Sequence, residues 1–251
     1  MDQLLAGLGK KPNALQRFRL VVIFFMMTAC FIAAKHAVYF SFRVNPVGIH
    51  IFSWAAWFVW QGWLFPLHRE RFLQADPVTA YRKAFCRDIL PGATAGASQA
   101  FDPLVWGFIM GGQNAPSALQ TLTGTLFLSL GVALAYLGFT TIGIAAAGFM
   151  FEYQRRPHPL VVGRIYSYVR HPICVGGIIA SFGASLFPGN ALSLTTGVLN
   201  LAILPLYGWL EDARLTHIYG DTYLRYKAAV RPFVPRLADL KTLFTKEFQN
   251  T

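Results

Sequence analysis

From Pro172 to Leu210 the sequence contains no Asp, Glu, Lys or Arg. Two further stretches are almost as bare. Ile89 to Phe151 carries Asp102 alone, and Leu20 to Leu67 carries only Lys35 and Arg43. A helix needs about 20 apolar residues to cross the ~30 Å hydrocarbon layer, and in lipid its backbone polar groups must be satisfied internally. These stretches are long enough for single or paired crossings. The expected spans are about 20–42, 48–67, 89–111, 119–150, 172–187 and 191–210. The last two are joined by the turn sequence Phe187-Pro188-Gly189-Asn190. The expected fold is all-α: a polytopic helical membrane protein with about six transmembrane helices, five to seven at the limits. Pro91, Gly92, Gly96, Asp102 and Pro103 disfavour a regular helix in the third span, which is expected to be broken or re-entrant.

The formal net charge is +11, although only 13% of residues are charged. A soluble domain has about 25%. A basic excess can serve nucleic acid, anionic lipid or loops held on the cytoplasmic side of a bilayer. Placement decides among them. Segments 1–19, 68–88, 152–171 and 211–251 hold 20 of the 22 Lys and Arg residues. With six spans all four segments fall on one side, which the positive-inside rule makes cytoplasmic, both termini included. Membrane lipid is therefore an expected partner and nucleic acid is not. The apolar content excludes intrinsic disorder, and three cysteines exclude a disulfide scaffold. The first apolar run continues past Lys35 without a small-residue cleavage site, so no signal peptide is expected.

Chemistry concentrates around the last uncharged hairpin. Before it runs His158-Pro159-Leu160-Val161-Val162-Gly163-Arg164-Ile165-Tyr166-Ser167-Tyr168-Val169-Arg170-His171-Pro172. After it come Glu211-Asp212, then a stretch with Tyr219, Gly220, Tyr223 and Tyr226, then Val230 to Arg236. A helical hairpin returns its two ends to one membrane face, so Arg170 and His171 should lie near Glu211 and Asp212. Carboxylates accept from ribose hydroxyls and amines, Arg grips a carboxylate bidentately, and tyrosines stack on a purine. That inventory suits a nucleoside cofactor better than a metal, because the six histidines show no ligand spacing.

These residues resemble a family, the membrane methyltransferases typified by isoprenylcysteine carboxyl methyltransferase and phosphatidylethanolamine N-methyltransferase. Leu160, Val161, Gly163 and Tyr166 match its lead-in, with one extra residue between the Gly and the Tyr. Arg170, His171, Pro172 and Gly176 match its core, and Glu211, Asp212 and Leu215 its acidic segment. Gly220, Tyr223, Tyr226, Val230 and Pro235 match its tail. The resemblance covers about 158–236. It implies S-adenosyl-L-methionine bound between the hairpin and a cytoplasmic tail, and a methyl group passed to a lipid or small-molecule acceptor. It also implies His171, Arg170 and Glu211 as catalytic residues. Leu160, Val161, Tyr166, Pro172, Gly176, Asp212 and Tyr223 would join those three around the cofactor. Residues 158–251 would then form the cofactor-binding part. Residues 1–157, where nothing resembles a known family, would give the acceptor access. Methyl transfer needs alignment and shielding rather than a metal. An amine acceptor would also need a base, for which His171 and Glu211 are candidates. One departure stands out, since Cys174 occupies the position of a family Tyr.

Two other resemblances compete. Sterol-reductase-like membrane enzymes share a related Arg-His-Pro hairpin and use NADPH, but Ile173 and Cys174 replace their Asn-Tyr pair. Haem proteins and accessory proteins of the nitric-oxide-reductase type share the hairpin as well. A transporter is least supported, for want of paired intramembrane charges. Asp102 is expected in a loop or a cap, and Lys35 and His36 near the outer end of the first span, where Lys can snorkel. Trp54, Trp57, Trp60 and Trp63 recur every three residues and are expected on one helical face.

Overall fold

The computed structural model describes residues 1–110, 115–154 and 159–236. The expected boundary between residues 157 and 158 lies outside them, as do His158 and the far end of the basic tail. The described elements are helical. A short α1 (Asp2–Gly7) precedes α2 (Ala14–Phe42), which Asn13 caps by accepting from the Gln16 amide at 2.8 Å. Next comes α3 (Pro46–Val59), which passes through a π turn at Trp60–Leu64 into α4 (Phe65–Phe72). A second rod follows the same plan, with α5 (Pro77–Ala84), a π turn at Phe85–Ile89 and α6 (Leu90–Met110). A Ser117–Gln120 capping box opens α7 (Ala118–Ile142), and Gly143, at φ +81, closes it. Two short helices, α8 (Ile144–Ala147) and α9 (Met150–Gln154), lead to a 3₁₀ turn at Arg164–Ser167. Pro172 opens α10 (Pro172–Ser185). Finally α11 (Ala191–Tyr219), capped by Asn190, breaks at Gly220 into α12 (Asp221–Ala229).

Among the described residues three helices, α2, α7 and α11, are long and apolar enough to cross a membrane. Helix α10 is apolar but has only 14 residues. The fourth expected span stops at Ile142 rather than at 150, because the chain turns at Gly143.

The third expected span is not broken. Helix α6 runs unbroken through Pro103, and Asp102 is fully buried within it rather than in a loop or cap. The proline cannot donate to the Gln99 carbonyl one turn back. Asn200 of α11 donates to that carbonyl instead, at 3.1 Å. Asp102 pairs with Lys35 at 2.6 Å and with His50 at 2.8 Å. Lys35 therefore does not snorkel, and a pair of charges does lie among the apolar helices. Nor do the four tryptophans share a face. Steps of three residues fall behind the 3.6-residue turn, so Trp54 is buried while Trp63 is 65% exposed.

Two packing features place the site. Glycines recur every seventh residue on α7, at 124, 131 and 138, against Gly176 and Gly183 of α10. A β-carbon at Gly131 would meet the Gly176 and Ala180 backbones, and one at Gly176 would meet the Gly131 and Ala135 backbones. Such seams let membrane helices touch backbone to backbone. At the end of the bundle that carries α1, α4, α5, α8 and α9, an apolar cluster includes Leu4, Phe65, Tyr81, Ala84, Met150 and Tyr153. It holds α9 beside the polar end of α11.

Candidate active site

The hairpin does return its two ends to one place. Arg170 and His171 sit in non-helical chain just ahead of α10. Their amides donate to the Arg231 and Pro232 carbonyls at 3.0 and 3.2 Å, which docks the tail onto this loop. The Arg170 guanidinium donates to the Lys227 carbonyl at 2.8 Å, to the Val230 carbonyl, and to Asp212 at 2.8 Å. His171 places Nδ1 3.1 Å from Glu211 and Nε2 2.9 Å from Asp212. Burial alone would lower the pKa of His171, but the hydrogen bonds to Asp212 and Glu211 outweigh it and raise the pKa to about 9. The ring is therefore an imidazolium at neutral pH, with both N–H groups committed. Asp212 also accepts from Tyr223 at 2.5 Å and lies 3.2 Å from Lys227. Burial first, then the bond to Asp212, pushes the Tyr223 phenol upward, so it remains a donor.

Charge alternates in a line through this region. Arg69 of α4 lies 3.2 Å from Glu152 of α9, which lies 3.1 Å from Arg214 of α11. Arg214 approaches Glu211 at 3.4 Å, and the line then continues through His171 and Asp212 to Arg170. Sequence reasoning found the second half of this line and missed Arg69, Glu152 and Arg214. One signal was legible. Arg214 is three residues after Glu211, hence on the same helix face.

A cavity of about 270 Å³ opens beside the line, with Leu160, Val161, Tyr166, Arg170, His171, Cys174, Glu211, Tyr223 and Tyr226 in its wall. Seven of the expected site residues thus share one space. Among the expected residues, Pro172, Gly176 and Asp212 do not line it. Pro172 starts α10, Gly176 belongs to the seam with α7, and the Asp212 carboxylate is held by Arg170, His171, Tyr223 and Lys227. A second cavity of about 380 Å³ lies between the Trp57–Glu70 stretch and α11. The two share Trp57, Gln61, Phe149, Glu152, Tyr207, Glu211 and Arg214 as a common wall.

Two buried polar atoms at the first cavity lack a hydrogen-bond partner: Nε of Arg170 and Oε2 of Glu152. The second lies near Arg69 without hydrogen-bond alignment. A cationic and an anionic side chain, Arg170 and Glu152, in the wall of one cavity with aromatic and aliphatic side chains complement a zwitterionic amino acid joined to a flat ring.

Residues 119–222 match the phospholipid methyltransferase family. That segment is similar to the membrane methyltransferases of the phospholipid and isoprenylcysteine type. One relative is the protein-S-isoprenylcysteine O-methyltransferase of Schizosaccharomyces pombe, 30% identical over 112 residues, or 43% of this chain. The match spans 47% of that relative, about half its length. No solved structure matches the chain. The family segment begins at α7, well before the resemblance read from the sequence.

Proposed function

We propose that the chain is an integral membrane S-adenosyl-L-methionine-dependent methyltransferase acting at the cytoplasmic face, with both termini on that side. The observation that carries this is that Arg170 and Glu152 line one cavity together with Tyr166, Tyr223 and Tyr226, in a chain whose residues 119–222 match this family. The cofactor would supply an electrophilic methyl group. Arg170 would take its carboxylate, Glu152 its ammonium group, and Tyr166, Tyr223 and Tyr226 its ring. Glu211, at the wall between the cavities, would face the sulfonium. The second cavity, formed in part by α3 and α4, would admit the acceptor, which fits an access role for the N-terminal helices. The relative's name favours a lipophilic carboxylate acceptor, and a thiol or amine also suits the reaction. A carboxylate needs no base, so orientation and exclusion of water can supply the rate. For an amine, Glu211 is the group able to accept the proton, because both His171 nitrogens already donate.

Calorimetric titration of the detergent-purified protein with S-adenosylhomocysteine tests this reading. The expected result is stoichiometric binding that Arg170→Ala and Glu152→Gln each weaken at least about tenfold, or ~1.4 kcal/mol. Binding of NADPH, or a Soret band without S-adenosylhomocysteine binding, would overturn it in favour of the reductase or haem reading.

A further inference from the structure

Away from the cavities, five helices meet at a buried polar centre. Lys35 of α2 reaches Asp102 at 2.6 Å, Ser98 at 3.1 Å and Gln99 at 3.3 Å, all on α6. The other Asp102 oxygen meets His50 Nδ1 of α3 at 2.8 Å. His50 Nε2 lies 2.9 Å from the Asn200 side-chain oxygen, which also accepts from Trp54 at 2.8 Å. The Asn200 amide donates to the Gln99 carbonyl at 3.1 Å and to Ser181 of α10 at 2.8 Å. Indole only donates, so Trp54 fixes which way Asn200 faces, and His50 Nε2 must donate to the same oxygen.

Asn200 ties this centre to α11 through His50, Trp54, Gln99 and Ser181, and it stands eleven positions before Glu211 on that helix. At about 100° and 1.5 Å per residue, those two side chains lie on one stripe, ~16 Å apart. His50 on α3 and Gln61 in the π turn that follows it are also eleven positions apart, and Trp57 of α3 stacks on Tyr207 of α11 at 5.7 Å. Pro205 interrupts the α11 backbone ladder between Asn200 and Glu211. The polar centre holds α11 on one side of that proline, and the Arg69–Glu152–Arg214 pairs hold it on the other.

We propose that Lys35, Asp102, His50 and Asn200 are positioning residues. They set the rotation of α11, and thereby the direction in which Glu211 and Tyr207 face the cavity. The stake is high because a buried network that loses one member leaves its other charges unpaired.

The binding readout rests on the function proposed above, so a second readout is kept independent of any cofactor. In a Cys30→Ser, Cys86→Ser background, Cys174 in the cavity wall is the remaining thiol. Its alkylation rate by N-ethylmaleimide and the S-adenosylhomocysteine dissociation constant are measured for Asn200→Leu and Asp102→Asn. Both measurements are made well below the melting temperature, on samples of unchanged helix content. A change of about threefold or more in alkylation rate, with dissociation constants raised at least about tenfold, is expected from coupled sites. Unchanged rate and affinity in folded protein, with only a lower melting temperature, would refute the proposal. Should Asn200→Leu and Asp102→Asn fail to fold, Ser181→Ala removes one partner of Asn200 and must itself change the alkylation rate by about threefold or more. No shift there also refutes it. If the alkylation rate responds while the wild type binds no S-adenosylhomocysteine, the positioning role stands and the methyltransferase reading falls.

Discussion

His171 shows how a single side chain is committed by its surroundings. Its two nitrogens face two carboxylates, and the resulting imidazolium persists to about pH 9. The folded value lies above the ordinary ~6.5 of the free side chain. Its contribution to stability is therefore complete below pH 6.5 and is lost as the pH rises through about 9. Calorimetric or thermal-shift titration of the wild type should show cofactor affinity and melting temperature falling together between pH 8 and about 10. His171→Gln should be less stable at pH 7 and lose that alkaline step. The arginine, histidine and acids of the motif were legible because charged residues are rare beside an apolar hairpin. Glu152 and Arg69 were not, because they sit in basic-rich segments and acquire meaning only when α4 and α9 fold against α11.

The seam between α7 and α10 turns sequence into architecture at the level of the element. Each glycine in it stands where a side chain would strike backbone, whereas Gly177, one position along, faces open space. Gly131→Leu should cost at least about 1–3 kcal/mol by overpacking, because backbone cannot move aside as a side chain can. Gly177→Ala should leave stability unchanged or improve it by up to ~1 kcal/mol through helix propensity. Thermal unfolding of the two variants in detergent, side by side, checks the contrast. The seven-residue recurrence of 124, 131 and 138 was readable in the sequence. Its partner surface was not, because Gly176 drew attention as part of a cofactor motif.

At the scale of the molecule, three of the described helices, α2, α7 and α11, are long and apolar enough to cross a membrane, and hydrophobic length in the sequence was enough to anticipate those three. The pairing of Lys35 with Asp102 was beyond such reasoning, since 67 positions separate them and each read singly resembles an anchor or a cap. The proposed topology puts residues 1–19, 68–88, 152–171 and 211–251 on one side. Single-cysteine substitutions at exposed Lys10, Arg82 and Arg225 should therefore be protected together from an impermeant maleimide in intact cells. A cysteine at Ser117, by contrast, should react. Labelling of any one of the first three from outside would overturn the six-crossing arrangement.

The alternating line from Arg69 to Arg170 bears on how any charged guest must bind. Each of its groups already has an oppositely charged neighbour, so an incoming carboxylate or ammonium group enters by substitution, taking over a partner that another side chain relinquishes. Recognition of that kind changes the number of ion pairs little. Affinity at this site should accordingly depend only weakly on ionic strength, unlike capture by an unneutralised basic surface.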